Sequence, residues 1–207
     1  MKADFEDFLI DAKLNISTTG RNAGYSDKNN YPYEGTSYAV LDRLIEGGYI
    51  SRDDHVLDYG CGKGRVAIYL NHRIGCPTMG VELMEEFYDK AVSNLERYKK
   101  TVHIESQGDI IFIKHAAQTF EVPQYINRIF FFNPFSGAVF KSVLARVAES
   151  YYEAPRRILM FFYYPESDYL SYLARADEVM FLDEIDCMDL FPEKDERNRV
   201  MIYEMPG

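Results

Sequence analysis

The sequence has no tryptophan and few basic residues: 23 lysines and arginines face 33 aspartates and glutamates, a formal charge of −10. This balance argues against a broad basic surface that grips phosphates, although a local basic patch is compatible with it. Nowhere do about 18 apolar residues run together, and the first residues lack the basic and apolar regions of a signal peptide. We therefore expect a soluble, cytoplasmic protein without a membrane partner or a broad nucleic-acid surface.

Cysteine is also scarce, with Cys61, Cys76 and Cys187 far apart in the chain. Their number is odd and no pair has the Cys-x-x-Cys spacing, so the sequence indicates neither a disulfide framework nor a zinc site. The four histidines show no ligand spacing either, and we expect no metal. The three thiols are predicted to be reduced.

The most informative stretch is HVLDYGCGKGR, from His55 to Arg65. An apolar run that ends in an acid, opens into alternating glycines and continues as a helical pattern predicts a strand, a tight turn and a helix. Glycines permit positive φ and let the backbone lie directly against a ligand. The unpaired N–H groups of the helix would point into the same crevice. The pattern predicts a site for a nucleotide-like molecule.

The spacing of the glycines narrows the type of nucleotide. Dinucleotide folds use Gly-x-Gly-x-x-Gly, but Arg65 stands where the third glycine would be. The pattern Asp-x-Gly-x-Gly-x-Gly, which begins at Asp58 and contains Gly60, Gly62 and Gly64, resembles the first motif of class I S-adenosylmethionine-dependent methyltransferases. An acid there suits a ligand with an amine and a sulfonium better than a pyrophosphate. An NAD-linked oxidoreductase is the alternative.

Cys61 lies in this turn, where we expect its backbone to matter more than its sulfur.

The resemblance implies an α/β fold: a three-layer sandwich with a seven-stranded, mostly parallel sheet, its last strand antiparallel, and helices on both faces. It spans roughly residues 36–204, and residues 36–207 are predicted to form the cofactor-binding domain. Residues 1–35 are predicted to form an N-terminal helix and a loop that covers the cofactor, with simple disorder of the loop as the alternative. On the helix, one face carries apolar side chains: Phe5, Phe8, Leu9 and Ala12. The loop carries three tyrosines: Tyr25, Tyr31 and Tyr33.

Thr36 or Ser37 is expected to cap a second helix, which ends at the glycine pair 47–48. The resemblance makes Tyr33 and Thr36 possible contacts for the methionine end of the cofactor.

A second strand is predicted over residues 77–83, with Glu82 near its carboxyl end. Glu82 is 18 residues past Gly64, close to the spacing at which an acid accepts hydrogen bonds from ribose hydroxyls. The alternative is a solvated charge at the end of a strand.

The third strand is predicted over residues 110–114, with 101–109 as an extension of the preceding connection. The loop that follows, which contains Ala116 and Ala117, would then contact adenine mainly through backbone groups. In a competing alignment, Asp109 is the acid that accepts from the adenine amine.

The buried run 129–132 predicts a central strand that ends at Asn133-Pro134-Phe135. This tripeptide resembles, with one proline missing, the Asn/Asp-Pro-Pro-Tyr/Phe motif of methyltransferases that act on amino nitrogens. The resemblance implies that Asn133 orients the acceptor amine, that it also lies near the cofactor, and that Phe135 contacts the substrate. Alternatively, Asn133 caps the next helix and Phe135 packs in the core.

Further strands are expected over 157–164, 179–182 and 200–203, the last two antiparallel because no helix joins them. The resemblance implies S-adenosylmethionine as cofactor and transfer of its methyl group by in-line displacement, with the acceptor and the oligomeric state open. A non-catalytic nucleotide-binding module is the other alternative.

Overall fold

A computed structural model describes residues 2–20, 33–101 and 108–207. Within these ranges the helices are α1 Lys2–Leu14, α2 Tyr38–Glu46, α3 Arg65–Ile74, α4 Glu85–Thr101, α5 Gly137–Glu153 and α6 Ser167–Leu173. The strands are β1 Val56–Tyr59, β2 Thr78–Glu82, β3 Ile110–Lys114, β4 Arg128–Phe131, β5 Ile158–Tyr163, β6 Met180–Asp186 and β7 Arg199–Met205. The predicted positions of Tyr25 and Tyr31, and of most of residues 101–109, lie outside the described residues.

The strands form one sheet in the order β3-β2-β1-β4-β5-β7-β6. Strands β1 to β5 pair in parallel, whereas β7 runs antiparallel to both β5 and β6. This is the predicted sheet, with its last strand reversed. The strand order reverses between β1 and β4, which opens a crevice at the carboxyl ends of these strands.

Helices cover both faces of the sheet, so the central strands are apolar on both sides. One core contains α2 and α3, and the other contains α5 and α6. Along β4, Phe130 faces the first core and Phe131 the second. The Phe131 ring stacks between Tyr59 and Phe162, with centroid distances of 5.4 and 4.8 Å. The continuous aromatic run of β4 thus follows from burial on both faces.

Helix α1 forms where it was predicted, but its apolar face is on the outside. Phe8 is 58% exposed, and the other members of that face are exposed as well: Phe5, Leu9 and Ala12. The buried face carries Asp7, Asp11 and Leu14. The two carboxylates are buried because they meet the guanidinium of Arg65 and hydroxyl and backbone donors, so polar pairing rather than apolar burial sets the orientation of the helix.

Helix α2 begins after Ser37, but the side chain of Ser37 makes no capping bond. Asp7 supplies the cap instead, because its Oδ1 accepts from the Tyr38 N–H at 3.1 Å and from the Ser37 hydroxyl at 3.2 Å. Thr36 is buried before the helix. The predicted local cap is therefore replaced by a carboxylate from α1. In the described part of the chain, no helix has the length and apolar character needed to cross a membrane.

Candidate active site

The turn between β1 and α3 is built by glycines in the left-handed region: φ is 68° at Gly60, 53° at Gly62 and 84° at Gly64. A Cβ added at Gly60 would lie 2.2 Å from the Cβ of Pro134, and one at Gly62 would lie 2.3 Å from the ring of Tyr33. Both approaches are closer than any side chain permits. The turn needs glycine for its backbone angles and for the residues that lie against it.

A cavity of about 670 Å³ opens beside this turn, at the carboxyl ends of the parallel strands. Its volume is typical of a small-molecule or cofactor site. Among the predicted site residues, eight line it: Tyr33, Gly60, Gly62, Glu82, Ala117, Asn133, Pro134 and Phe135. Five others do not: Thr36, Asp58, Cys61, Gly64 and Ala116. The structure thus brings the residues of four separate motifs to one cavity.

Glu82, at the end of β2, joins its strand to the glycine turn. Its Oε2 accepts from the Gly62 N–H at 2.9 Å, and its Oε1 accepts from the Met84 N–H at 2.8 Å. Burial raises the pKa of Glu82, and the backbone donors at Met84 and Gly62 oppose that shift. A carboxylate has about four lone-pair sites, so Glu82 can accept a further hydrogen bond from a ligand in the cavity.

Asp58 is 3% exposed and lies two residues before Gly60. Its Oδ2 has no hydrogen-bond partner among the described residues. Burial, and then the charge of Glu82, hold the pKa of Asp58 well above its ordinary value. A buried acid without a partner is costly, and a nearby positive charge would favour its ionised form.

Cys61 is a buried free thiol whose sulfur packs towards β2, where a Cβ at Gly80 would meet it at 2.6 Å. Burial, and then the charges of Asp58 and Glu82, raise its pKa well above the ordinary value. A protonated thiol is not a nucleophile. The Cys61 carbonyl accepts from the Gly64 N–H at 2.8 Å and so helps to close the turn, while its contact with a cofactor stays a prediction.

The loop after β3 places Ala117 in the cavity wall together with His115 and Gln118. Asp109 lies elsewhere: its carbonyl accepts from the Thr78 N–H at the amino end of β2, and its side of the sheet borders a separate, smaller cavity. The competing alignment, in which Asp109 binds adenine, is therefore wrong. Asp109 lies at the amino ends of the strands, on the edge of the sheet opposite the crevice.

Asn133 follows β4 with a φ of 39°, and Tyr164 follows β5 with a φ of 52°. The side chain of Asn133 joins these two strand ends, because its Nδ2 donates to the carbonyl of Tyr164 and its Oδ1 accepts from the Glu166 N–H at 3.2 Å. Left-handed backbone at two non-glycine residues costs free energy and tends to occur at functional sites. The amide oxygen keeps one lone pair, and the residue lines the cavity.

Asn133 does not cap α5, as the alternative interpretation had it. Ser136 occupies the N-cap position and its hydroxyl accepts from the Val139 N–H at 3.5 Å.

Phe135 borders the cavity but is only 3% exposed. Its ring stacks on Tyr169, with a centroid distance of 6.2 Å, and the Tyr169 hydroxyl donates to the Phe135 carbonyl at 2.6 Å. Pro134 lies against Gly60. These contacts hold the tripeptide after β4 in place as part of the cavity wall. They do not test its predicted catalytic role, which stays a prediction.

The far side of the cavity was missed from the sequence. Tyr163 and Tyr164 come from the end of β5, and Asp195 and Asn198 come from the connection between β6 and β7. The Tyr164 hydroxyl donates to Asp195, and the guanidinium of Arg197 lies 4.4 Å from the centre of the Tyr164 ring. The sequence did contain one indication of this wall: two tyrosines at the carboxyl end of a predicted strand. Crevices in such sheets form at that edge.

Comparison with known proteins agrees with this geometry. Residues 56–150 match the protein family described as a methyltransferase domain. A histone-lysine N-methyltransferase specific for H3 lysine-79, from Dictyostelium discoideum, is 41% identical over 61 residues, 30% of this chain and 3% of that protein. A protein-lysine N-methyltransferase from Saccharolobus islandicus strain REY15A is 36% identical over 67 residues, 32% of this chain and 42% of that protein. The chain thus spans less than half the length of each of these two relatives.

An RNA methyltransferase from Salinibacter ruber, solved with S-adenosyl-L-homocysteine, superposes with a TM-score of 0.57. The match covers 84% of this chain and 94% of that one at 15% identity, so it bears on the fold alone. The domain match covers just under half of the chain, and the sheet order is that of the class I, Rossmann-like methyltransferase fold.

Proposed function

We propose that this protein is an S-adenosylmethionine-dependent methyltransferase that binds its cofactor between the glycine turn and Glu82. The observation that carries the proposal is that Gly60, Gly62 and Glu82 line one cavity, with the Glu82 carboxylate bonded to the Gly62 N–H. In the proposed organisation, residues 36–207 bind the cofactor and residues 1–35 cover it. The three buried free thiols suit the reducing cytoplasm, where we propose the protein acts.

The residues around the cavity fit the chemical groups of this cofactor. The turn has no Cβ at Gly60 and Gly62, so a ligand can approach the backbone there. The unpartnered carboxyl of Asp58 lies at the base of the turn, where the amine and sulfonium charges would favour its ionised form. Glu82 would accept from ribose hydroxyls through its remaining lone pairs, and the backbone near Ala117 would contact adenine.

The bound cofactor supplies an electrophilic methyl group. The protein's part is to hold the acceptor in line with that methyl and to exclude water, since a neutral thioether leaves without help from an acid. Asn133 is the proposed orienting group: its Oδ1 accepts one hydrogen bond from Glu166 and keeps a lone pair for an acceptor N–H. Phe135 is fixed by its stacking on Tyr169 and forms the wall beside it.

We propose an amino nitrogen as the acceptor atom. The tripeptide Asn133-Pro134-Phe135 supports this class, and so do the activities of the two relatives, both lysine N-methyltransferases. The far wall combines the rings of Tyr163 and Tyr164 with the carboxylates of Glu166 and Asp195. Arg197 already lies over the Tyr164 ring and pairs with both carboxylates, so this wall does not by itself select a charged amine. The acidic total charge supports a small molecule or a protein as acceptor over duplex nucleic acid.

Two measurements test the proposal. Calorimetric titration with S-adenosylmethionine, S-adenosylhomocysteine and NADH is expected to show one site for the first two ligands and none for NADH. Labelled methyl transfer is then measured with amine-bearing metabolites, protein extracts and RNA as acceptors, and we expect label in an amine or a protein. Binding without transfer to any acceptor would indicate a non-catalytic module, and preference for NADH would indicate an oxidoreductase.

A further inference from the structure

Arg65, the residue that replaces the third glycine of a dinucleotide motif, is the centre of a buried polar network. It is 3% exposed at the start of α3, directly after the glycine turn. Its guanidinium has five N–H donors, and four of them are used in short contacts to the N-terminal part of the chain. The acceptors are Asp7 Oδ2 at 2.6 Å, Thr18 Oγ1 at 2.7 Å, the Thr36 carbonyl at 2.9 Å and Thr19 Oγ1 at 3.2 Å.

Asp11 completes this network from α1. Its two oxygens accept from the backbone and hydroxyl of Thr18, from those of Thr19 and from the Tyr38 hydroxyl, all at 2.6 to 2.8 Å. Burial alone would raise the pKa of Asp11, but the hydrogen bonds from Tyr38 and Thr18 and the charge of Arg65 hold it below the ordinary value. Asp11 is therefore ionised and fixes the backbone at residues 18 and 19.

The network holds Tyr33 from two sides. The Tyr33 hydroxyl donates to the carbonyl of Thr18 at 2.6 Å, and Thr18 is bonded to Arg65. On the other side, the guanidinium of Arg65 packs against Gly35, where an added Cβ would lie 2.9 Å from its central carbon. The same guanidinium donates a hydrogen bond to the carbonyl of Thr36. The ring so held lies on Gly62 and lines the cavity.

We propose that Arg65 is a positioning residue for cofactor binding: through Thr18 and Thr36 it holds Tyr33 as the wall of the cavity above the glycine turn. This inference rests on the proposed function. Arg65 itself does not line the cavity and needs no contact with the ligand. Its effect on affinity passes through Tyr33, which distinguishes a positioning role from a general contribution to stability.

The test measures the Kd of S-adenosylhomocysteine by calorimetry, below the melting temperature of every variant. Arg65→Met is expected to weaken binding by about tenfold or more, the effect of one or two lost positioning hydrogen bonds. Arg128→Met is the matched control. Arg128 also forms a buried ion pair, 3.0 Å from Asp54, but at the amino end of β4 on the opposite edge of the sheet. We expect its Kd to stay within about twofold of the unmodified protein.

A double-mutant cycle gives the readout that a merely structural role would not produce. In the Tyr33→Ala background, Arg65→Met is expected to change the Kd by less than about twofold, because the wall it positions is already gone. If Arg65→Met fails to fold, Arg65→Lys replaces it: lysine keeps the charge beside Asp7 but cannot reach Thr18 and Thr36 together, so an intermediate Kd is expected.

Two outcomes would overturn the inference: Arg65 and Arg128 variants with equal Kd values, or additive losses in the cycle. Absence of binding by the unmodified protein would instead contradict the proposed function.

Discussion

At the scale of the residue, the two acids of the site have opposite environments. Both oxygens of Glu82 accept backbone N–H donors, whereas Oδ2 of Asp58 has no partner among the described residues. Burial raises the pKa of both, most strongly at Asp58, where the charge of Glu82 adds to it. Glu82 thus holds the glycine turn in place without a ligand, while Asp58 is stabilised as an anion only when a cation lies nearby.

Comparing Gly60 with Gly48 distinguishes the two reasons for a glycine in the turn: its positive φ and its lack of a Cβ next to a close neighbour. Gly60 and Gly48 have similar φ values of 68° and 73°, but only Gly60 has a close neighbour, Pro134. Alanine at either position should lose about 1–2 kcal/mol of unfolding free energy through the left-handed backbone. Gly60→Ala should lose a further 1–3 kcal/mol or so from overpacking, measured by urea unfolding. Equal losses for the two variants would show that the contact with Pro134 is not tight.

The sequence was informative about residues in short local motifs. The glycine turn and Glu82 are recognisable because their spacing along the chain is set by one strand, one turn and one helix. Tyr164 and Asp195 were not found, because their meeting depends on the reversed strand β7 and on the connection before it. The local pattern of Asn133 likewise gave no sign that its amide would join the ends of β4 and β5.

At the scale of the element, α1 shows where periodicity alone misleads. A helix with four apolar residues on one face normally packs that face on a core. Here Asp7 and Asp11, four residues apart on the other face, meet Arg65, and a buried carboxylate must be paired. The pairing partner lies more than 50 residues away in the sequence, so the helical pattern could not reveal which face is buried.

This orientation of α1 predicts the effect of two substitutions. Phe8→Ser, at a 58% exposed position, should change the unfolding free energy by less than about 0.5 kcal/mol. Leu14→Ala, at a 4% exposed position on the same helix, should cost about 2–5 kcal/mol. Urea unfolding measures both. A loss for Phe8→Ser as large as that for Leu14→Ala would mean that the apolar face is buried after all.

At the scale of the whole molecule, the fold was predictable and the acceptor side of the site was not. The succession of strands and helices along the chain follows from apolar runs, and the antiparallel last pair follows from the absence of a helix between its strands. The seven-stranded, mostly parallel sheet is what the family resemblance implied, and the structure has it. The cavity wall beyond Asn133 combines segments from β5 and from the β6–β7 connection, which lie more than 20 residues apart in the chain. Sequence patterns describe such segments one at a time, whereas an acceptor is recognised by all of them together.

The most direct test of the central claim is the affinity of S-adenosylmethionine for Glu82→Gln, measured by calorimetry. Loss of the carboxylate charge should weaken binding by about tenfold to a hundredfold, because hydrogen bonds to a charged group contribute about 1.5–3 kcal/mol. Glu85→Gln is the control, since it removes the same charge at an exposed position whose partner is Lys114. We predict that only Glu82→Gln loses affinity while both variants stay folded; equal affinities for the two would contradict the account.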